Sequence, residues 1–248
     1  MQRYFIEQSQ VDGNFIFPND TQTHHITKVM RMTAKDKAEF VISEHRLIVA
    51  ELISDTPVKF EIIDTLKSDV ELPVRVSIAT SFLKGEKLEL LAQKVTELGA
   101  SELLVVPTQR SVVKWDAKKR QKKQLRLQKI AHEASEQSHR LKIPKVLILS
   151  EFNDLLKRLT AYDLVLIAYE KSAQTGEVSQ FYQQLEQFQG QKILVFFGPE
   201  GGIADEEIDV LLPFGSLIGL GPRIMRAETA PLYALSAISF YYELKGEG

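Results

Sequence analysis

Cysteine is absent from the 248-residue sequence, and so is any apolar run approaching the roughly 18 residues of a membrane span. Without cysteine the chain has no disulfides, thiolate metal sites or cysteine nucleophiles, which fits a cytoplasmic protein. The five histidines lack the HExxH spacing of zinc proteases, so we expect no metal. The N-terminal residues also lack the basic start and apolar run of a secretory signal. These absences favour a cytoplasmic globular protein without a membrane or metal partner.

Positive charge is concentrated in one segment of an otherwise acidic chain. Residues 110–145 hold twelve lysines and arginines against three acidic residues, a local charge of +9. The whole chain carries −2, which leaves −11 for the remainder. A basic segment of this kind is a candidate contact for nucleic-acid phosphates. The alternative is a solvated helix face, because lysine runs commonly lie on exposed helices.

The sequence pattern changes near residue 72. Up to that point, short runs of β-branched and aromatic residues alternate with turn formers, a pattern typical of a small β-barrel. Beyond it, strands without a polar face alternate with amphipathic helices, which predicts a parallel sheet covered on both sides. We therefore predict a β-barrel domain over residues 1–72 and an α/β domain over residues 73–248.

Residues 196–209, FFGPEGGIADEEID, follow a predicted strand and lead into a predicted helix. In open α/β sheets, ligands bind beyond the carboxyl ends of the strands, and bare glycine backbone lets a ligand approach closely. The stretch matches neither GxGxxG nor the P-loop, and the Glu200 carboxylate would repel a phosphate. A nucleoside-like ligand without phosphate therefore suits this loop, and the alternative is an ordinary tight turn.

A second glycine-containing loop, IGLGPRIMRAETAP at residues 218–231, also separates a predicted strand from a predicted helix. Arg223 and Arg226 are three positions apart, with Glu228 close behind them. Two fixed cations beside a backbone-lined cavity would suit an anionic partner such as an RNA phosphate. The alternative is that Arg226 and Glu228 form a salt bridge that pins the loop.

In combination, GPEGG at 198–202 and LGPRIMRAETA at 220–230 resemble the SPOUT class of S-adenosylmethionine-dependent RNA methyltransferases. Within that class they resemble the RsmE-type enzymes, which methylate N3 of a uridine in 16S ribosomal RNA. Further similar segments are RYF (3–5), HHITKVMRM (24–32), QKVTELG (93–99), QRSV (109–112) and EASEQSHR (133–140). Met225 and Ala227 depart from the usual Leu and Thr, and AKDK at 34–37 lacks a common Gly-Asp turn.

The resemblance implies an α/β fold with a SPOUT-type parallel sheet and a C-terminal trefoil knot, preceded by a PUA-like RNA-binding barrel. It also implies a homodimer, S-adenosyl-L-methionine as cofactor, and 16S ribosomal RNA or the small ribosomal subunit as substrate. The cofactor-binding residues would be Ala168, Gly198, Glu200, Gly202, Ile218, Leu220, Gly221 and Met225. For Glu200, both an approach to the sulfonium and the capping of a backbone amide remain open.

The same resemblance and the chemistry of uracil suggest the remaining site residues. A cation near O2 or O4 would stabilise a uracil anion, and the nearest candidates lie in the second loop. The predicted catalytic residues are Arg223, Arg226 and Glu228. The predicted RNA-binding residues are Arg3, Arg31, Arg110, Lys118, Lys119, Lys122, Lys123 and Arg140. The alternatives are a SPOUT enzyme with another RNA target such as a ribose 2′-OH, a non-catalytic RNA-binding assembly factor, and a nucleotide-binding oxidoreductase, which the missing GxGxxG disfavours.

Overall fold

The computed structural model describes residues 1–43, 46–170 and 180–245. Its contacts divide the chain into two units, one formed by Met1–Glu71 with Ser135–Lys142 and the other by Leu72–Ala134 with Ile143–Gly248. The predicted division near residue 72 did not include the segment 135–142 in the N-terminal unit. That segment lies far from the first 71 residues along the sequence, so no local pattern marks it.

The N-terminal unit is built on six strands with one short helical segment. The strands are β1 (Gln2–Ile6), β2 (Val11–Asp12), β3 (Phe15–Ile16), β4 (Lys37–Ile42), β5 (Arg46–Asp55) and β6 (Val58–Leu66). Their order in the sheet is β1-β4-β5-β6-β3-β2, with β1 parallel to β4 and the other pairs antiparallel. The described strands form a curled sheet with β1 and β2 at its edges, a half-barrel that agrees with the predicted PUA-like β-barrel.

The helical segment of this unit begins after a reciprocal cap. Helix α1 (Asp20–His24) follows Asn19, whose side chain accepts the amide of Gln22, while the Gln22 side chain accepts the amide of Asn19. Such a pair satisfies two amide groups that the first helical turn leaves without partners. The segment continues as a π-turn over His25–Val29, where Ile26 is fully buried in the core of the unit.

The C-terminal unit alternates strands with helices. Its strands are β7 (Arg75–Ser81), β8 (Glu102–Val106), β9 (Lys145–Ile148), β10 (Leu164–Ala168), β11 (Lys192–Phe197) and β12 (Ser216–Ile218). Its α-helices are α2 (Lys87–Glu97), α3 (Ala117–Gln137), α4 (Phe152–Leu159), α5 (Gln180–Gln187), α6 (Asp205–Leu211) and α7 (Ala230–Ser239). Within the described ranges, none of these helices is both long and apolar enough to span a membrane.

The six strands of this unit form one sheet in the order β12-β10-β11-β7-β8-β9, and every neighbouring pair is parallel. Successive residues of β11 point to opposite faces of the sheet, where Val195 packs in one hydrophobic cluster and Phe196 in another. The sheet is therefore covered on both faces, which confirms the predicted α/β class. The trefoil knot stays a prediction.

Candidate functional site

A cavity of about 580 Å³ lies at the carboxyl ends of three neighbouring strands, β10, β11 and β12. The parallel register places Ala168 beside Phe197 on one side and beside Ile218 on the other. The segments that follow these strands consequently meet at one edge of the sheet, where open α/β folds bind ligands. Residues from 168–170, 197–203 and 218–227 supply most of the cavity wall.

Every predicted cofactor-binding residue contributes to the wall of this cavity. These residues are Ala168, Gly198, Glu200, Gly202, Ile218, Leu220, Gly221 and Met225. They come from three segments that are separate in the sequence, and the structure brings them together around one cavity. Their part in cofactor binding stays a prediction.

The glycines of the two loops serve different geometric needs. Gly202 and Gly221 have φ angles of +75° and +98°, in the left-handed region that a side chain disfavours. Gly198 faces a different constraint, because a Cβ there would lie 2.7 Å from Cγ1 of Ile203. The first loop also closes on itself through the Gly202 amide, which donates to the Pro199 carbonyl at 2.9 Å. The glycine clustering thus follows from the tight path of the loop.

Lys87, in the first turn of α2, connects the two loops. Its Nζ lies 3.0 Å from Oε1 of Glu200 and 3.2 Å from Oε2 of Glu228. Sequence analysis missed Lys87, because it lies 113 positions before Glu200 and no local motif singles it out. Glu200 therefore faces a lysine, a partner that neither of the predicted roles included.

These neighbours set the protonation states of the cluster. Burial opposes ionisation of Glu200, but Lys87 and the backbone amides of Glu200 and Lys84 outweigh it and hold the pKa of the carboxyl below its usual value. The pKa of Lys87 is raised, first by its hydrogen bond to Glu200 and then by Glu228. Lys87 is therefore an ammonium ion at neutral pH and cannot act as a base.

The two arginines of the second loop line the same cavity. In the described parts of the chain, neither the Arg223 nor the Arg226 side chain has a hydrogen bond or ion pair. The carboxylate of Glu228, two residues after Arg226, is paired with Lys87. This geometry contradicts the alternative in which Arg226 and Glu228 form the salt bridge, and it leaves both guanidinium groups able to meet an anionic ligand.

Arg110, predicted to contact RNA, lies at the edge of this cavity. Its Nη1 donates to the carbonyls of Ile203 at 3.1 Å and Gly201 at 3.4 Å. The buried carboxylate of Glu207 strengthens the same junction by accepting the amides of Gln109 at 2.8 Å and Ala204 at 3.1 Å. The loop after β8 is thereby attached to the first glycine loop, a role that the sequence pattern did not predict.

The predicted lysines lie at the start of α3, where they differ in their surroundings. Lys118, Lys119 and Lys122 are exposed. Lys123 is half-buried, and its Nζ lies 3.3 Å from Oε1 of Glu89. Three of the four charges are thus presented to solvent in a form that suits phosphate contacts. In the N-terminal unit, Arg31 is also exposed.

Arg3 and Arg140 have a different environment, within the N-terminal unit. They are 4% and 3% exposed, respectively. Arg3 Nη2 lies 2.7 Å from Oε2 of Glu39, and Arg140 Nη2 lies 2.5 Å from Oε2 of Glu71. A buried guanidinium needs a carboxylate partner, and both have one. Both guanidinium groups are therefore already paired inside the N-terminal unit, and their contact with RNA stays a prediction.

Two family models match the chain. An RNA methyltransferase domain covers residues 70–239, and an RNA methyltransferase PUA domain covers residues 18–63. Among the described residues, no group of three or more histidine, aspartate or glutamate side chains is arranged to hold a metal ion. The fold and the matches together define an RNA methyltransferase with a PUA domain.

Similar proteins define the family more narrowly. Ribosomal RNA small subunit methyltransferase E of Bacillus subtilis (strain 168) is 43% identical, over 98% of this chain and 98% of that protein. Ribosomal RNA small subunit methyltransferase E 2 of Borreliella burgdorferi is 29% identical, over 95% of this chain and 96% of that protein. The chain belongs to the ribosomal RNA small subunit methyltransferase E family.

Solved structures agree with this fold. A putative methyltransferase from Legionella pneumophila, in complex with the bound cofactor SAM, aligns with a TM-score of 0.81 at 26% identity, over 96% of this chain and 97% of that one. A ribosomal RNA small subunit methyltransferase E from Neisseria gonorrhoeae, bound to S-adenosyl methionine, aligns with a TM-score of 0.83 over 98% of both chains. The latter is 23% identical and supports the fold alone.

Proposed function

We propose that this protein transfers a methyl group from S-adenosylmethionine to N3 of a uridine in 16S ribosomal RNA, in the cytoplasm. The observation that carries the proposal is the cavity beside β10, β11 and β12, where two arginines whose side chains have no partner among the described residues meet a wall of glycine-rich backbone. The relative that is 43% identical over nearly its whole length is named for action on small-subunit ribosomal RNA.

The cavity fits S-adenosylmethionine by its volume and by its lining. At about 580 Å³ it has the size of a typical small-molecule site. Main-chain groups of both glycine loops reach its wall, where they suit an adenosine, and the acidic side chains of Glu170 and Glu200 suit a cationic ligand without phosphate. When bound, the cofactor would supply an electrophilic methyl group on a sulfonium.

The chemistry left to the protein concerns the uracil ring. In the transfer, the new N3–carbon bond would form as the carbon–sulfur bond of the sulfonium breaks and the sulfur leaves as a neutral thioether. N3 must first lose its proton, which passes to solvent. The resulting negative charge spreads over O2 and O4. We assign stabilisation of that charge to Arg226 and Arg223, which line the cavity, because a cation beside a developing negative charge lowers the barrier. Holding the base in line with the methyl group supplies a further part of the rate.

The decisive experiment uses small ribosomal subunits from cells that lack this protein. Incubation with the purified protein and S-adenosylmethionine should produce 3-methyluridine, identified by mass spectrometry of the digested nucleosides. Methylation on the ribose would instead assign a 2′-OH target. Absence of any methylated nucleoside would favour an assembly factor. Naked 16S RNA in a parallel reaction tells whether the RNA or the assembled subunit is the substrate.

We further propose that the protein is a homodimer. Tyr233 lies on α7, and Phe240 and Leu244 lie on the π-turn Phe240–Leu244 that continues it; the three side chains are 43%, 60% and 71% exposed. They recur at positions seven and four apart, on one helical face, so a second copy would remove a continuous apolar strip from water. Analytical ultracentrifugation should give the mass of two chains, and Phe240→Glu should shift it towards one. A wild-type monomer would refute the proposal.

A further inference from the structure

Lys87 contacts both glycine loops, although it belongs to neither and was not among the predicted site residues. It belongs to α2, outside both glycine loops, yet its ammonium is within 3.2 Å of a carboxylate from each of them. It also lines the cavity. One cation therefore serves two anions, and its removal would leave both carboxylates without their shared partner.

Glu228 is the more consequential of the two carboxylates. Its side chain is only 14% exposed. Oε2 is buried and, among the described atoms, makes no directed hydrogen bond, so the ion pair with Lys87 is its main compensation there. A buried carboxylate that loses such a partner needs another cation. Arg226, two residues away in the same loop, is a close candidate whose side chain has no partner among the described residues.

We propose that Lys87 is a positioning residue that holds the Glu228 carboxylate away from Arg226, so that the guanidinium remains available to the RNA base. This inference rests on the proposed function, in which Arg226 stabilises charge on the uracil. Without Lys87, Glu228 pairs with Arg226 and neutralises it. The lysine then affects the reaction although it touches neither the methyl group nor the base.

A simpler role would be a staple that ties the two loops together through Glu200 and Glu228. The two roles predict opposite outcomes for a double variant. If Lys87 only staples, removing Glu228 as well as Lys87 leaves the loops no better connected. If Lys87 protects Arg226, removing the charge of Glu228 takes away the competitor, and the reaction recovers.

The test is a double-mutant cycle of Lys87→Met and Glu228→Gln in the full-length protein. We would measure the single-turnover methylation rate, S-adenosylmethionine affinity by calorimetry, and the melting temperature of all four corners. We expect Lys87→Met to lower the rate at least tenfold at saturating cofactor, and the double variant to return to the rate of Glu228→Gln alone, which measures any direct part of Glu228 in the reaction. Lys94→Met is the matched control, since Lys94 lies on the same helix but pairs with Glu97 outside the cavity.

A double variant as slow as Lys87→Met would overturn the inference. Crystal structures of wild type and Lys87→Met give a check that does not depend on activity. The variant should bring the Glu228 carboxylate within about 4 Å of the Arg226 guanidinium, the usual limit for an ion pair. A carboxylate that stays away from Arg226 would also refute the protective role. If wild type methylates no RNA but the Glu228–Arg226 pair forms in Lys87→Met, the proposed function fails, while the inference that Lys87 keeps Glu228 away from Arg226 stands.

Discussion

Two arginines of the N-terminal unit and two of the C-terminal unit have opposite surroundings. In the N-terminal unit, Arg3 and Arg140 are almost fully buried and paired with carboxylates. In the C-terminal unit, Arg223 and Arg226 line a cavity, and in the described residues their side chains bond to no protein group. A guanidinium buried away from water needs a carboxylate partner inside the fold. A guanidinium that lines a cavity can instead pair with an anionic ligand.

The comparison shows that the role of an arginine depends on whether a carboxylate contacts its guanidinium in space. Glu39 and Glu71 reach their arginines and make them part of the scaffold. Glu228 lies only two residues from Arg226 but is paired with Lys87. The availability of Arg226 is therefore a property of the whole cluster.

The largest effect on stability is expected from Arg3→Met. The substitution removes the hydrogen bond at 2.8 Å from Arg3 Nε to Glu39 and leaves the nearly buried Glu39 carboxylate with His139 Nδ1, at 3.1 Å, in place of a guanidinium. Breaking a buried ion pair by removing one partner typically costs about 3–5 kcal/mol. Urea unfolding should show this loss, while the exposed Arg46→Met in the same unit serves as control. A loss as small as that of the control would mean that Arg3 is not part of the scaffold.

Arg226→Ala should affect rate instead of stability. Losing one electrostatic contact to a transition state commonly costs roughly a hundredfold in rate. The melting temperature and the affinity for S-adenosylmethionine should stay close to wild type, because the Arg226 side chain bonds to no described group. Arg226→Lys should restore only part of the rate, since an ammonium does not reproduce the planar guanidinium. A near-normal single-turnover rate in Arg226→Ala would remove this residue from the mechanism.

The lysines of α3 extend the comparison to RNA binding. Replacing Lys118, Lys119 and Lys122 with glutamate should weaken RNA binding and reduce its salt dependence, because lysines that neutralise phosphates release the counterions condensed on the RNA. Lys123→Gln should have a smaller effect, because Lys123 is already paired with Glu89. Filter-binding titrations at several salt concentrations measure both. Equal effects of Lys123→Gln and the triple change would show that pairing does not decide the contribution of a lysine.

The smallest effect is expected from the pH dependence of the partly exposed Glu200–Lys87 pair. The pKa of Glu200 in the folded protein lies below its usual value of 4.5. Its contribution to stability is therefore complete above pH 4.5 and is lost as the pH falls through the folded pKa. A partly exposed pair of this kind contributes little to stability, because solvent screens the attraction.

Urea unfolding of wild type and Glu200→Gln tests this expectation at neutral pH and at about pH 3. The difference between the two proteins should shrink at the lower pH. A difference that stays constant would mean that the carboxylate charge contributes nothing to folding.

The sequence by itself determined the class of fold and the location of the cavity. Strands without a polar face alternate with helices, which allows only a covered parallel sheet, and the carboxyl ends of such strands form the ligand edge. Glycine at positions 202 and 221 reflects the positive φ angles of the loops there, which are a local property of the backbone. Because these signals depend on neighbours in the chain, they were visible without coordinates.

Only the tertiary structure decided which charges are available. Lys87 reaches Glu200 across 113 positions, and Arg3 reaches Glu39 across 36. Arg140 enters the N-terminal unit with the segment 135–142, although the sequence around it continues the pattern of the α/β domain. An arginine or lysine has the same appearance in a sequence whether it is paired or free. Coulombic attraction depends on distance in space, and folding alone sets that distance.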